Sequence, residues 1–260
     1  MPTFFQFKTY FTYWLDQVSE HSLHSPFLFD FYTKVLHAKS DSHVFGTIEQ
    51  RRREYLRDKT LLTIQDPGAG STNLKTSSRM VCDIAHTSLS SSKYSSLYAR
   101  IIHHFNCKSI LELGTSLGIN TLYLATKPDS SVTTLEGAAP IAATAHATFE
   151  ELQIKNIRLI EGNINSTLYT YLGNCTSLDF AFLDANHRYE PTLKYFDAIV
   201  QKIHAGSVIV LDDIHYSPEM EQAWNYARKH ALVYASIDLY RCGLLFFDPS
   251  LNKQHVVLQF

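Results

Sequence analysis

The residues with chemistry to offer stand at the ends of apolar runs in the second half of the chain. SILELG (109–114) ends in Glu112, Leu113 and Gly114 and leads through Thr115, Ser116 and Leu117 to Gly118. VTTLEG (132–137) ends in Glu136 and Gly137, and IRLIEG (157–162) in Glu161 and Gly162, with Asn163 next. LDFAFLDA (178–185) delivers Asp184, with His187 three residues on, and SVIVLDD (207–213) delivers Asp212 and Asp213. Each type has a use. Glycines such as Gly114 and Gly118 let a ligand approach the backbone, and a helix starting after them offers free N–H groups. A carboxylate at Glu136 can accept both hydroxyls of a ribose, and one at Glu112, before the loop glycine, suits an ammonium group. A hard divalent ion takes carboxylate oxygens such as those of Asp184, Asp212 and Asp213, and an imidazole takes a proton near neutral pH.

These residues act together only if the elements before them bring their ends to one edge. INTLYLAT, APIAATAHATFEEL, NSTLYTYL and PTLKYFDAIVQKI fall between the apolar runs and carry helical spacing. Strands this apolar, alternating with amphipathic helices, predict a parallel sheet covered on both faces. VYASIDLY and GLLFFDP are joined by only Arg241 and Cys242, too short a link for a parallel crossover, so they predict an antiparallel hairpin. HVVLQF stands ready to extend that edge. The expected fold is α/β, a doubly wound, Rossmann-like, mostly parallel sheet of seven strands with an antiparallel C-terminal hairpin. Such sheets bind ligands beyond the carboxyl ends of their strands.

Residues 1–92 have a different rhythm and read as a helical N-terminal region on the acceptor side of a domain spanning 93–260. Helical patterns fall near 4–18, 27–38, 47–59 and 77–89. Phe4, Phe7, Phe11, Trp14, Leu15 and Val18 give the first an apolar face, for docking on the body of the protein or on a second subunit. A homodimer is therefore expected. His21 and His24 have no third ligand nearby and read as capping or packing residues. DPGAGS (66–71) looks like a second glycine-rich ligand loop, but no further strand and acid follow at the required distance. It reads instead as a cover over the ligand mouth.

An acid closing the second strand of the alternating region also fits a nicotinamide-dinucleotide site. That site needs G-x-G-x-x-G, whereas this loop is GTSLG, without the middle glycine that admits a pyrophosphate. An oxidoreductase of that kind is the first alternative, and a non-catalytic cofactor-binding module of the same fold is the second. Glu112 points to a ligand with an amino-acid moiety. An adenosine that carries an amino acid is S-adenosylmethionine.

ILELGTSLGINTLYLA, LEG (135–137) and LDFAFLDANHRYEPTLKYFDAIVQKIHAGSVIVLDDIH resemble the class I S-adenosylmethionine-dependent methyltransferases, over roughly residues 93 to 248. The loop without its middle glycine, with Asp184 and the pair Asp212-Asp213, looks like the metal-dependent small-molecule O-methyltransferases, including the catechol type. DANHRYE also looks like the branch containing the sugar O-methyltransferases of macrolide biosynthesis. HSPF near the start and DDIHYSPEMEQAW near the end resemble a methyltransferase-like family common in Bacteroidetes. The resemblance implies that Glu112, Gly114, Thr115, Ser116 and Gly118 line the methionine side of S-adenosylmethionine. It places Glu136 and Gly137 at the ribose, and Gly162 and Asn163 near the adenine. Asp184 would border the cofactor and, with Asp212 and Asp213, hold Mg²⁺. The catechol-type lysine falls at His187, a departure that agrees with the sugar-methylating branch and implies a catalytic pair of His187 and Asp184.

The physical logic is consistent with this. A sulfonium methyl donor needs no activation, so the enzyme must align an acceptor and remove its proton. Bland readings stand beside it: Asp184 and Asp213 as caps of turns or helices, and His187 as a loop hydrogen-bonder. Tyr189 and Tyr216 are placed to line a pocket for a small-molecule acceptor, while Trp224 reads as core. Composition narrows the partners. A net charge of −2, with 45% hydrophobic and 18% charged residues, describes a globular chain with no basic field for nucleic acid. Its four cysteines are scattered without a CxxC pair, which fits a reducing compartment. With neither signal-peptide features nor a membrane-length apolar run, a cytoplasmic protein is expected.

Overall fold

The computed structural model describes residues 3–38, 45–66 and 75–260. Helices α1 (Phe4–Asp16), α2 (Pro26–Phe31) and α3 (Gly46–Tyr55) open the chain, α2 running on into a π-helical turn at Tyr32–Leu36. An antiparallel ribbon, β1 (Leu61–Asp66) with β2 (Lys75–Met80), precedes α4 (Val81–Ser88) and α5 (Ser92–His104). Strand and helix then alternate: β3 (Ser109–Leu113), α6 (Ile119–Leu124), β4 (Ser131–Glu136), α7 (Ala139–Glu151), β5 (Ile157–Glu161) and α8 (Ile164–Asn174). The alternation continues through β6 (Leu178–Leu183), α9 (Tyr189–Val200), β7 (Ile203–Asp212) and α10 (Pro218–Ala227), and the chain closes with β8 (Ala235–Asp238), β9 (Cys242–Phe246) and β10 (Gln254–Val257).

The α/β, mostly parallel architecture with an antiparallel hairpin is as the sequence predicts. The chain divides into two compact units, residues 39–173 and residues 1–38 with 174–260. In the first unit β4 pairs in parallel with β3 and β5, in a register that sets Glu112 beside Thr134 and Glu136 beside Glu161. Ile84, Leu117, Ile119, Leu122, Ala145 and Phe149 belong to its buried core. The ribbon is the departure from an all-helical N-terminal region. Lys75–Met80 is too polar to show the alternation of a half-buried strand. β1 is thus followed, in the described chain, by an antiparallel strand rather than by a helix. Gly68 and Gly70 of the glycine loop lie outside the described residues, as does any cover formed there.

In the second unit the strand order is β10-β8-β9-β7-β6. β6 and β7 are parallel, β9 runs antiparallel to both β7 and β8, and β10 joins β8 in parallel. β10 is the strand beyond the expected seven. Trp224 is buried, as expected, and lies so close to Gly243 that a Cβ there would come within 2.4 Å of its ring. No helix among the described residues is long and apolar enough to cross a membrane.

Candidate active site

In the unit of residues 39–173 the ends of β3, β4 and β5 carry the predicted ligand loops. After Leu113 the chain turns through two left-handed residues, Gly114 (φ 94°) and Ser116 (φ 49°), before Gly118 (φ 78°) starts α6. The Ser116 N–H donates to Glu136 Oε2 at 2.9 Å, and the Ala138 N–H donates to Glu136 Oε1 at 2.9 Å. Glu136 therefore ties the first loop to the end of the second strand, with each oxygen keeping acceptor capacity for a ribose hydroxyl. Burial pushes its carboxyl above the usual range, against the pull of these N–H donors and that of Gly137. The Gly162 N–H donates to the Glu136 carbonyl oxygen at 2.9 Å, so the third loop hangs from the second. Asn163 caps α8, its Oδ1 accepting the Asn165 N–H at 2.9 Å. That carbonyl holds the helix start, and the side-chain amide keeps its own donors.

Glu112 is bonded within the protein. It is fully buried, and both of its oxygens are taken by the protein. Asn120 Nδ2 donates to Oε1 at 2.9 Å, while the Thr121 and Thr134 hydroxyls donate to Oε2 at 2.5 and 2.7 Å. Its carboxylate pins the first turn of α6 to β3 and β4, which fixes the start of the helix after the loop. The parallel register was the available signal, since it sets Thr134 directly beside Glu112.

In the unit of residues 1–38 and 174–260, the segments after β6 and β7 bring Asp184, His187 and Asp213 together. His187 Nε2 lies 3.3 Å from Asp184 Oδ1, and His187 Nδ1 lies 3.9 Å from Asp213 Oδ2. Among the described residues this is the one group of three or more such side chains close enough to share an ion. Asn186 (φ 66°), His187 (φ 39°) and Asp213 (φ 53°) are all left-handed non-glycine residues. Such conformations cost about 1–3 kcal/mol each and gather at functional sites. The Tyr216 ring is 6.1 Å from that of His187, and the Tyr216 N–H donates to the Asp213 carbonyl oxygen at 2.9 Å. The Tyr189 N–H is taken by Glu219.

Asp212 is not part of this group, contrary to the expected set of three carboxylates. β7 ends at Asp212, and the left-handed Asp213 turns out of the strand towards His187. Asp212 is fully buried, and Arg241 Nη2 donates to its Oδ2 at 3.0 Å. Burial pushes its carboxyl up, Arg241 pulls it down and Asp213 pushes it up further. Arg241, expected only as part of the hairpin link, is the partner of Asp212. The β7–β9 register, with Asp212 opposite Cys242, is the feature that would have found it.

Residues 111–214 match the family model described as a methyltransferase domain. The chain also shares its fold with solved O-methyltransferases. One, a putative O-methyltransferase from Klebsiella pneumoniae, is 17% identical with a TM-score of 0.58, over 84% of this chain and 96% of that one. The O-methyltransferase TomG from Streptomyces achromogenes, solved with S-adenosylmethionine, is 18% identical with a TM-score of 0.57, over 84% and 95%. An O-methyltransferase from Bacillus cereus, solved in complex with S-adenosylhomocysteine, is 16% identical with a TM-score of 0.56, over 84% and 96%. No protein of curated function matches the chain. Residues 111–214 thus form a methyltransferase domain, on a fold shared with these solved O-methyltransferases.

Proposed function

We propose that this chain moves the methyl group of S-adenosylmethionine to an oxygen of a small-molecule acceptor. The observation that carries the oxygen assignment is His187 held between two carboxylates, a proton acceptor with partners that stabilise it once charged. With Nε2 turned to Asp184, Nδ1 is the nitrogen left to take the acceptor's proton. The acceptor oxygen then attacks the methyl carbon in line with the breaking C–S bond, the electron pair stays on sulfur, and a neutral thioether leaves. Gly114, Thr115, Ser116 and Gly118 form the loop on the methionine side. Glu136 beside Gly137 takes the ribose hydroxyls, and Gly162 with Asn163 closes the adenine side. Tyr216, at the rim of the cluster, is a wall for the acceptor.

Isothermal titration with S-adenosylhomocysteine tests the donor site. Glu136→Ala removes a charged acceptor of two hydroxyls, expected to weaken binding by about 2–3 kcal/mol, roughly 30- to 150-fold. The thermal midpoint is read alongside, because the Ser116 and Ala138 N–H groups also lose their acceptor. Unchanged affinity would sink the ribose assignment, and no binding by the intact chain would sink the donor.

The donor set also fits a divalent ion. Mg²⁺ binds through one or two carboxylates plus waters, and Asp184 and Asp213 supply that pair. Such an ion, when bound, would make a coordinated acceptor oxygen easier to deprotonate. His187 can serve as a ligand or as the base, but not as both. Binding of Mn²⁺, followed by its electron spin resonance, is expected to weaken at least about tenfold, about 1.4 kcal/mol, in Asp213→Ala, which removes the ligand oxygens. Asp212→Asn is expected to lower the thermal midpoint by stripping Arg241 of its partner and to leave Mn²⁺ affinity intact. Equal losses of metal in both variants would reject this assignment.

A further inference from the structure

Helix α1 presents its apolar stripe to solvent. Its buried residues are Thr9 and Tyr13. Phe4, Phe7, Phe11, Trp14 and Leu15, which share the opposite face, are each between 52% and 83% exposed. The Phe11 and Trp14 rings stack with centroids 6.1 Å apart, so the stripe is continuous. Rolling the helix to hide it would break contacts the inner face already makes. The Tyr13 hydroxyl donates to the Leu258 carbonyl oxygen at 2.6 Å and Gln6 Nε2 to the Tyr216 carbonyl oxygen at 3.1 Å, while the Tyr240 hydroxyl donates to the Gln6 carbonyl oxygen at 3.1 Å. A reciprocal capping box between Thr3 and Gln6 fixes the first turn. The helix is held with its aromatics outward.

We propose that this stripe is a self-association face, covered by α1 of a second copy of the chain lying antiparallel across a two-fold axis. Two features select this occupant. A lipid surface wants lysine and arginine along the flanks of such a helix. α1 carries one lysine, Lys8, against Asp16, with Glu20 close behind. A two-fold contact instead needs one patch complementary to itself, and antiparallel pairing sets Phe7 of each copy against Trp14 of the other, with Phe11 beside the axis. The area is also sufficient. At about 150–250 Å² per aromatic side chain, the exposed parts of the stripe and of neighbouring Tyr10 come to roughly 600–700 Å² per copy. Two copies would bury on the order of 1,300 Å², within the range of specific stable interfaces.

Light scattering on the full chain tests this, with a mass of twice 29.7 kDa expected. Replacing two central anchors in Phe7→Ser/Phe11→Ser is expected to raise the dimer dissociation constant by at least about 100-fold, a loss typical of hot-spot truncation. Far-UV circular dichroism should stay unchanged, since both side chains point outward. A Phe11→Cys variant gives a reading that does not depend on the double variant: mild oxidation should link two chains through residue 11, which the wild type cannot do. A monomeric wild type, a dimer unaffected by the double substitution, or no cross-link at residue 11 would each overturn the proposal. So would flotation of monomeric protein with phosphatidylcholine–phosphatidylglycerol vesicles, which would give the face to a lipid surface.

Discussion

Gly118→Ala should unfold far more easily than the wild type and should lose most of its affinity for S-adenosylhomocysteine. Two costs add. Gly118 sits at φ 78°, where an L side chain costs about 1–2 kcal/mol. A Cβ built there would stand 2.7 Å from the Phe149 ring and 3.1 Å from the Ala145 Cβ. Phe149 and Ala145 are both buried in the core of that unit, so the ring cannot swing into solvent, and overpacking of this kind costs about 1–3 kcal/mol. Together the expected loss is about 2–5 kcal/mol by urea unfolding. It falls at the junction of the 114–118 loop and α6, so the backbone that would receive the methionine moiety moves with it. Phe149→Leu in the same background should restore at least about 1 kcal/mol beyond additivity, because it relieves the contact but not the φ strain. Strict additivity of the two substitutions would show that the contact is not the source of the loss.

How much of this could be read from the residues alone depends on whether an element has one buried face or two. β3, β4, β6 and β7 are apolar because both faces are covered, and their ends fall where the apolar runs stop. The loops were therefore legible, and so was the place of Ser116, Glu136, Asp184, His187 and Asp213 on them. β2 is a polar strand of a two-stranded ribbon and leaves no such trace. What holds Glu112 and Asp212 was not legible, for one reason. Composition shows an acid at a strand end but not whether its own neighbours already satisfy it. Thr134 and Arg241 do so across the sheet, through pairings that exist only once the register is known. The same limit applies to α1, whose spacing reveals an apolar face without revealing that Tyr13, on the opposite side, is the one buried.

The stability of this protein should fall as pH rises from about 4.5 to about 7, and Glu112 is the cause. Burial pushes its carboxyl from the ordinary 4.5 up to about 7, although Thr121, Thr134 and Asn120 donate to it and pull the other way. In the unfolded chain the same group loses its proton near 4.5. Between these values the folded chain holds a proton that the unfolded chain has released, so unfolding becomes easier as pH rises. The full stabilisation is present below about 4.5 and the loss is complete above about 7, at most about 3 kcal/mol from this residue. Glu112→Gln removes the titration and keeps the geometry: its oxygen can accept from Asn120, while its amide donates to the Thr121 and Thr134 hydroxyls, which can accept as well as donate. Urea midpoints of the two proteins should coincide near pH 4.5 and separate in favour of the glutamine variant toward pH 8. Parallel curves would mean that the buried charge is not what costs stability. Glu112→Ala should behave otherwise, because it leaves Asn120, Thr121 and Thr134 without their partner and opens a cavity. It is expected to be weaker than Glu112→Gln by about 3 kcal/mol at every pH, since neither variant titrates there. Affinity for S-adenosylhomocysteine should divide the two variants, retained in Glu112→Gln and lost in Glu112→Ala, because what the loop needs from residue 112 is an anchor for α6 and not a negative charge.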